Sequence, residues 1–182
     1  MLDRATALQL VRKHVPNRNL IKHMIAVEGV MRRLAKHFGE DEDIWGLTGL
    51  LHDLDYAETV EDFDRHGFRT VEILSEYDIL PEALHAIKAH PGHVERETRM
   101  DKALYAVDPL TGLIVAAVLM HPDKKLAAIN ADFVLRRFKE KRFAAGADRD
   151  QIQACSELEL SLEEFTQFGI DGMRDFSNEL GF

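Results

Sequence analysis

The stretch Ile44–Tyr56, IWGLTGLLHDLDY, decides how this chain folds. Leu47, Leu50 and Leu51 recur at the spacing of one helical face, and Asp41 or Asp43 stands ahead of them to cap the helix. A helix this apolar belongs in a core, yet it closes on His52-Asp53. An imidazole and a carboxylate side by side at the end of a buried helix are costly unless something pairs with them, and a divalent metal is such a partner. The plain alternative is a histidine favoured by the negative end of the helix, with the aspartate starting the next turn.

Working outward, helical signals dominate and no period-2 strand stands out. Asp3 caps a first helix that stops before Pro16. Asn17 caps a second, with Ile21, Met24, Ile25, Met31 and Leu34 as its apolar stripe and Gly39 at its end. Residues 55–62 read as an acidic loop. A fourth helix carries His66, Val71, Ile73 and Leu74, and Pro81 opens a fifth that stops before Pro91-Gly92. Residues 92–99 read as a loop. Two short helices follow, around 102–107 and 110–120, with Asp108 as an N-cap before Pro109. A long helix spans 125–143 and ends by Gly146. Asp148 with Gln151, and Ser161 with Glu164, have the spacing of capping boxes that open the last two helices. The expectation is an all-α bundle: a core over residues 1–122, and a helical extension over 123–182 packed on it as part of one domain.

Bulk properties fit this. The chain has 182 residues, 46% hydrophobic and 30% charged, enough apolar mass for a core. A net charge of −9 argues against a nucleic-acid polymer or an anionic membrane as partner, though a metal can reverse the sign locally for a small anionic substrate. The single cysteine, Cys155, excludes an intrachain disulfide and fits a reducing, cytoplasmic compartment. The N-terminal stretch lacks the unbroken apolar run of a signal peptide. The run Leu110–Met120 falls short of the roughly 20 residues of a membrane span and reads as a buried helix.

Histidines crowd the middle of the chain. His52, His66, His85, His90 and His93 lie within one stretch, with His23 ahead of them on the second helix and Asp108 behind. Singly, each has a structural explanation: a satisfied core histidine at 23, surface histidines at 66 and 90. In order, the segments LIKHMIAVEGV, LTGLLHDLDY and LYAVDPLTGLIVAA resemble the H…HD…D signature of the HD superfamily of metal-dependent phosphohydrolases. HGFRTVEIL and AIKAHPGH resemble the segments that carry second-metal histidines in its dinuclear branch. The tail RRFKEKRFAAGADRDQIQACSELELSLEEF is similar to that of small bacterial predicted HD hydrolases.

The resemblance implies that His23, His52, Asp53 and Asp108 bind a first metal, and that Asp53 bridges to a second one completed by His66 and His90. His93 is either a further ligand or phosphate contact, or a solvated loop histidine. Imidazoles and carboxylates without a thiolate suit one or two manganese, iron, cobalt, nickel or zinc ions. Such a site implies hydrolysis of a phosphate monoester or diester, with a nucleotide among the candidate substrates and a metal-bound hydroxide as nucleophile. Many dinuclear relatives have Gly-Lys after HD-x; here Asp55 and Tyr56 stand there. Asp55 then becomes a candidate general acid or base, and Arg69 or Lys88 a candidate for phosphate charge, against turn-forming and solvent-facing explanations. Two other functions share the ligand order: a di-iron oxygenase of the inositol-oxygenase type, and a ligand-sensing domain that kept only the fold. Oligomeric state is not readable from the sequence.

Overall fold

The computed structural model describes residues 2–182; Met1, the first residue of the expected core, lies outside them. Among the described residues every regular element is helical. Asp3 accepts from Thr6 N at 2.8 Å and opens α1, Arg4–His14. Asn17 caps α2, Arg18–Phe38, which ends where Gly39 turns left-handed at φ 72°. Asp41, rather than Asp43, caps α3, Glu42–Leu51. The acidic stretch after it is not wholly loop, because Tyr56–Thr59 forms the short α4.

His66 is not in a helix. It follows a 3-10 turn, Phe63–Arg65, and precedes Gly67, whose φ of 80° breaks the chain before α5, Phe68–Leu74. A Cβ at Gly67 would also stand 2.6 Å from the carbonyl of Ile87, so only glycine lets this turn lie on α6, Pro81–Ala89.

The two short helices expected around Asp108 are a single one. Helix α7 runs Arg99–Met120 with Pro109 inside it. A capping box of Thr98 and Asp101 starts it from what reads as loop, and Asp108 is therefore mid-helix, not an N-cap. Proline has no N–H for the carbonyl of Tyr105 one turn back. That carbonyl instead accepts from Gln151 Nε2 at 2.7 Å, which removes the reason to break. At 22 residues, α7 is long and apolar enough to cross a membrane by length and composition, but it runs through the protein centre, with Ala103, Leu104, Ala106, Val107, Leu110 and Leu113 fully buried.

The expected long helix over 125–143 is also corrected. Leu126–Ala128 is a 3-10 turn, Asn130 caps the short α8, Ala131–Phe138, and turns follow. Asp148 caps α9, Arg149–Gln153, but without a capping box, since the Gln151 side chain is committed to Tyr105. Ser161 and Glu164 do form one at the head of α10, Leu162–Asp175, and α11 is Ser177–Leu180. Helix α2 is the hub: α3, α7 and α10 pack on it, while α6 and α9 flank α7 and α8 packs on α10. Gly29 and Gly172 let α2 and α10 touch backbone to backbone. The last third of the chain thus lies against the helices that carry the histidines.

Candidate metal centre

Asp53 is the middle of the site. It lies just beyond the end of α3, 5% exposed, inside a ring of imidazoles. Its Oδ1 is 3.4 Å from His52 Nε2, 3.3 Å from His66 Nε2 and 3.4 Å from His90 Nε2. Its Oδ2 is 3.7 Å from His23 Nε2. Asp108 closes one side, with Oδ1 at 3.1 Å from His23 Nε2 and 3.8 Å from His52 Nε2. Two triads, His23–His52–Asp108 and His52–Asp53–His90, have ligand atoms within 4.8 Å of one another. The structure therefore brings together all six residues that the sequence proposes as metal ligands, from α2, the end of α3, the turn before α5, the end of α6, and α7.

The other ring nitrogen of each histidine is also engaged. His52 Nδ1 is 2.8 Å from the carbonyl of Gly49, and His90 Nδ1 is 2.6 Å from that of Ile87. His66 Nδ1 is 2.7 Å from Asp55 Oδ1. His23 Nδ1 is 3.0 Å from Thr111 Oγ1, whose hydroxyl donates to the carbonyl of Asp108 and so accepts from the ring. Carbonyl and carboxylate partners fix the proton on Nδ1 and turn the Nε2 lone pair inward, the arrangement that supports a metal ligand.

These lone pairs lack protein donors. His52 Nε2 is buried without any hydrogen-bond partner. His66 Nε2 and His90 Nε2 face each other at 3.1 Å, where two lone pairs repel unless a proton or a cation lies between them. The donor set of four imidazoles and two carboxylates fits a divalent transition metal.

The local field follows. Burial opposes the charge on His66, but hydrogen bonds with Asp53 and Asp55 outweigh it and hold that imidazole at about 9. Burial also opposes ionisation of Asp53, yet His52, His66, His90 and His23 keep its carboxyl well below the usual range. Asp108 is lowered against its burial by His23 and His52. Burial pushes His90 down, so it stays neutral.

Asp55 and Arg69 take the turn-forming and charge-paired places that the sequence offers as alternatives to a role in catalysis. Asp55 is fully buried and its oxygens are used: Oδ1 on His66, Oδ2 accepting from Gly67 N at 2.8 Å and Thr70 N at 2.9 Å. These bonds tie it to His66 and to the turn, and it does not line the cleft. Arg69 pairs with Glu58 at 3.1 Å and Glu72 at 3.0 Å, and neither it nor Lys88 lines the cleft over the site. His93 Nε2 lies 2.8 Å from the carbonyl of Phe63, away from the ligand ring. Thr111 and the carbonyls of Gly49 and Ile87 were not singled out in the sequence, although each lies three residues from a site residue.

An open cleft lies above the ring, where Tyr56, Phe63, Gly146, Asp148 and Gln151 line it together with His23, Asp53, His66, His90 and Asp108. The all-helical fold is that expected of an HD domain. The HD domain family matches residues 20–119, and the chain belongs to that family. Among curated proteins it is similar to Ribonuclease Y of Sulfurovum sp. (29% identical, covering 72% of this chain and 26% of that protein) and of Campylobacter curvus (33%, 82% and 32%). Ribonuclease Y of Desulforudis audaxviator is 33% identical over 51% of the chain and 18% of that protein. The chain thus spans a third or less of the length of these relatives. No solved structure matches.

Proposed function

We propose that this protein is a metal-dependent phosphohydrolase acting on a small phosphate monoester or diester. The observation that carries the reading is the inward ring of Nε2 atoms around Asp53, with His52 Nε2 buried and unpartnered. His23, His52, Asp53 and Asp108 would hold one ion, and Asp53, His66 and His90 a second. The two oxygens of Asp53 face different histidines, which suits a bridging carboxylate. When bound, one or two such ions supply a Lewis acid for a phosphoryl oxygen and activate water near neutral pH. The chain's own part is to fix the ligands. Gly49, Ile87, Asp55 and Thr111 lock ring orientation, and Tyr56 and Phe63 line the cleft and limit access of bulk water to it.

Membership of the HD family supports the hydrolase class, and the ribonuclease name of the relatives supports a phosphodiester among the substrates. The cleft supports a substrate of monomer size. Among the described residues that line it there is no lysine or arginine, and the chain carries a charge of −9, whereas a polymer's phosphates need cationic contacts.

The test is to purify the protein without added metal, quantify bound ions per chain, and assay a phosphoester panel with and without manganese. Between one and two transition-metal ions are expected, and His52→Ala and Asp53→Ala lose both metal and turnover. A chain that binds no metal, hydrolyses no ester and keeps its stability in both variants refutes the proposal. Iron dependence with oxygen consumption would instead mark an oxygenase.

A further inference from the structure

Residues 143–151 stand beside the metal centre, outside the part of the chain that matches the family. Two anchors hold them. Gln151 Nε2 donates to the Tyr105 carbonyl that Pro109 leaves bare. Arg149 gives its guanidinium to backbone carbonyls: Nη1 to Ala144 and Ala147 at 2.6 Å each, Nη2 to Phe143, and Nε to Phe138 at 3.4 Å. An arginine donating to four carbonyls ties a turn into a fixed shape and offers its charge to no phosphate.

What this segment presents to the cleft is Gly146, Asp148 and Gln151. Asp148 Oδ1 accepts from Asp150 N and Gln151 N at 2.9 and 3.0 Å as the cap of α9. Among the described residues no protein donor reaches Asp148 Oδ2 or Gln151 Oε1. The side chains of the wall therefore offer two free acceptors, the exposed Asp148 Oδ2 and the half-buried Gln151 Oε1. Tyr56 and Phe63, 40% and 52% exposed, line the same cleft and offer apolar ring faces.

We infer that residues 143–151 are the selectivity wall of the cleft, and that Asp148 and Gln151 accept hydrogen bonds from hydroxyl groups on the organic part of the phosphoester. The substrate class is a phosphate ester with a hydroxyl-bearing, sugar-type leaving group whose carbon face lies on Tyr56 or Phe63. The inference rests on the phosphohydrolase reading. Its physical ground is that a hydroxyl-bearing leaving group pairs with both acceptors, whereas one without donors displaces the water on the half-buried Gln151 Oε1 and returns nothing.

The test compares ribose 5-phosphate with tetrahydrofurfuryl phosphate, a primary alkyl ester with a similar ring and no hydroxyl groups, on the manganese-loaded full chain, reading the ratio of their kcat/KM values. The wild type favours ribose 5-phosphate. Asp148→Asn keeps a residue that caps α9 but turns the free acceptor into a donor, and the ratio falls about ten-fold, the loss of one hydrogen bond to a charged acceptor. Arg149→Met loosens the wall, and the ratio falls through a rise in KM for ribose 5-phosphate. A wild type that favours tetrahydrofurfuryl phosphate overturns the inference. So does a ratio that neither variant moves, including one in which both esters slow together, as a merely structural defect would give. In those cases the phosphohydrolase reading stands. Hydrolysis of neither ester, with metal bound, overturns both.

Discussion

In the proposed metal centre, His66 is the residue whose proton a cation would displace. Burial disfavours its charge, but Asp53 and Asp55 together hold it at about 9 against an ordinary 6.5, so the metal-free chain carries a proton there at neutral pH. A raised value in the folded state stabilises that state while the group is charged. The gain, about 3 kcal/mol, is complete below pH 6.5 and is lost as pH climbs through 9. Metal binding runs against the same proton. Apparent affinity for manganese should therefore rise about fifty-fold from pH 7 to pH 9 and level above that, with about one proton released per chain at pH 7. Anaerobic titration calorimetry in two buffers of different ionisation enthalpy measures both quantities. Asp55→Asn removes one of the two carboxylates, so the levelling point moves to lower pH while affinity on the plateau drops about 10- to 100-fold. Affinity that is flat between pH 6.5 and 9, with no proton released, would mean that His66 Nε2 is not a ligand and that the ring closes around Asp53 for some other reason.

Two further substitutions probe the supports. Thr111→Val keeps the shape but removes the acceptor of His23 Nδ1, which lies 3.0 Å away; manganese affinity should fall about ten-fold in a chelator competition, with little change in melting temperature. Gly29→Ala would drive a methyl into the carbonyl of Gly172 where α2 and α10 cross; scanning calorimetry should show a loss of about 1–3 kcal/mol, or several degrees in Tm.

Four of the six candidate ligands stand at seams in the hydrophobic pattern, His23 beside the stripe of α2, His52-Asp53 after Leu50-Leu51 and Asp108 before Leu110, and it is the resemblance to the HD superfamily that joins them with His66 and His90. Local rules also give the caps at Asp3, Asn17 and Ser161. They fail where a distant residue repairs a local fault. Pro109 signals a break, and only Gln151, arriving from the far end of the chain, explains why α7 continues. His66 reads as helical from Val71, Ile73 and Leu74, but Gly67 at φ 80° ends that pattern one residue too soon. Asp55 and Arg69 are both polar residues next to ligands, so sequence cannot tell which is turned inward. In the fold, Asp55 faces the ring and Arg69 faces Glu58 and Glu72.

The orientation of the histidines rests on one local device used repeatedly. His52 and His90 are both C-caps, of α3 and α6, and each bonds the carbonyl three residues back, Gly49 and Ile87. Carbonyls in the last turn of a helix have no helical donor, so an imidazole there satisfies one with Nδ1–H and is left with its Nε2 lone pair directed beyond the helix. Thr111 uses the same interval inside α7, donating to the carbonyl of Asp108 while accepting from His23. A histidine held this way has a fixed ring orientation before any cation arrives. Ends of two helices aimed at one buried carboxylate make a preorganised ring, and such a ring is unfavourable without positive charge at its centre. Protonated His66 supplies that charge in the metal-free chain, and a divalent ion would replace it.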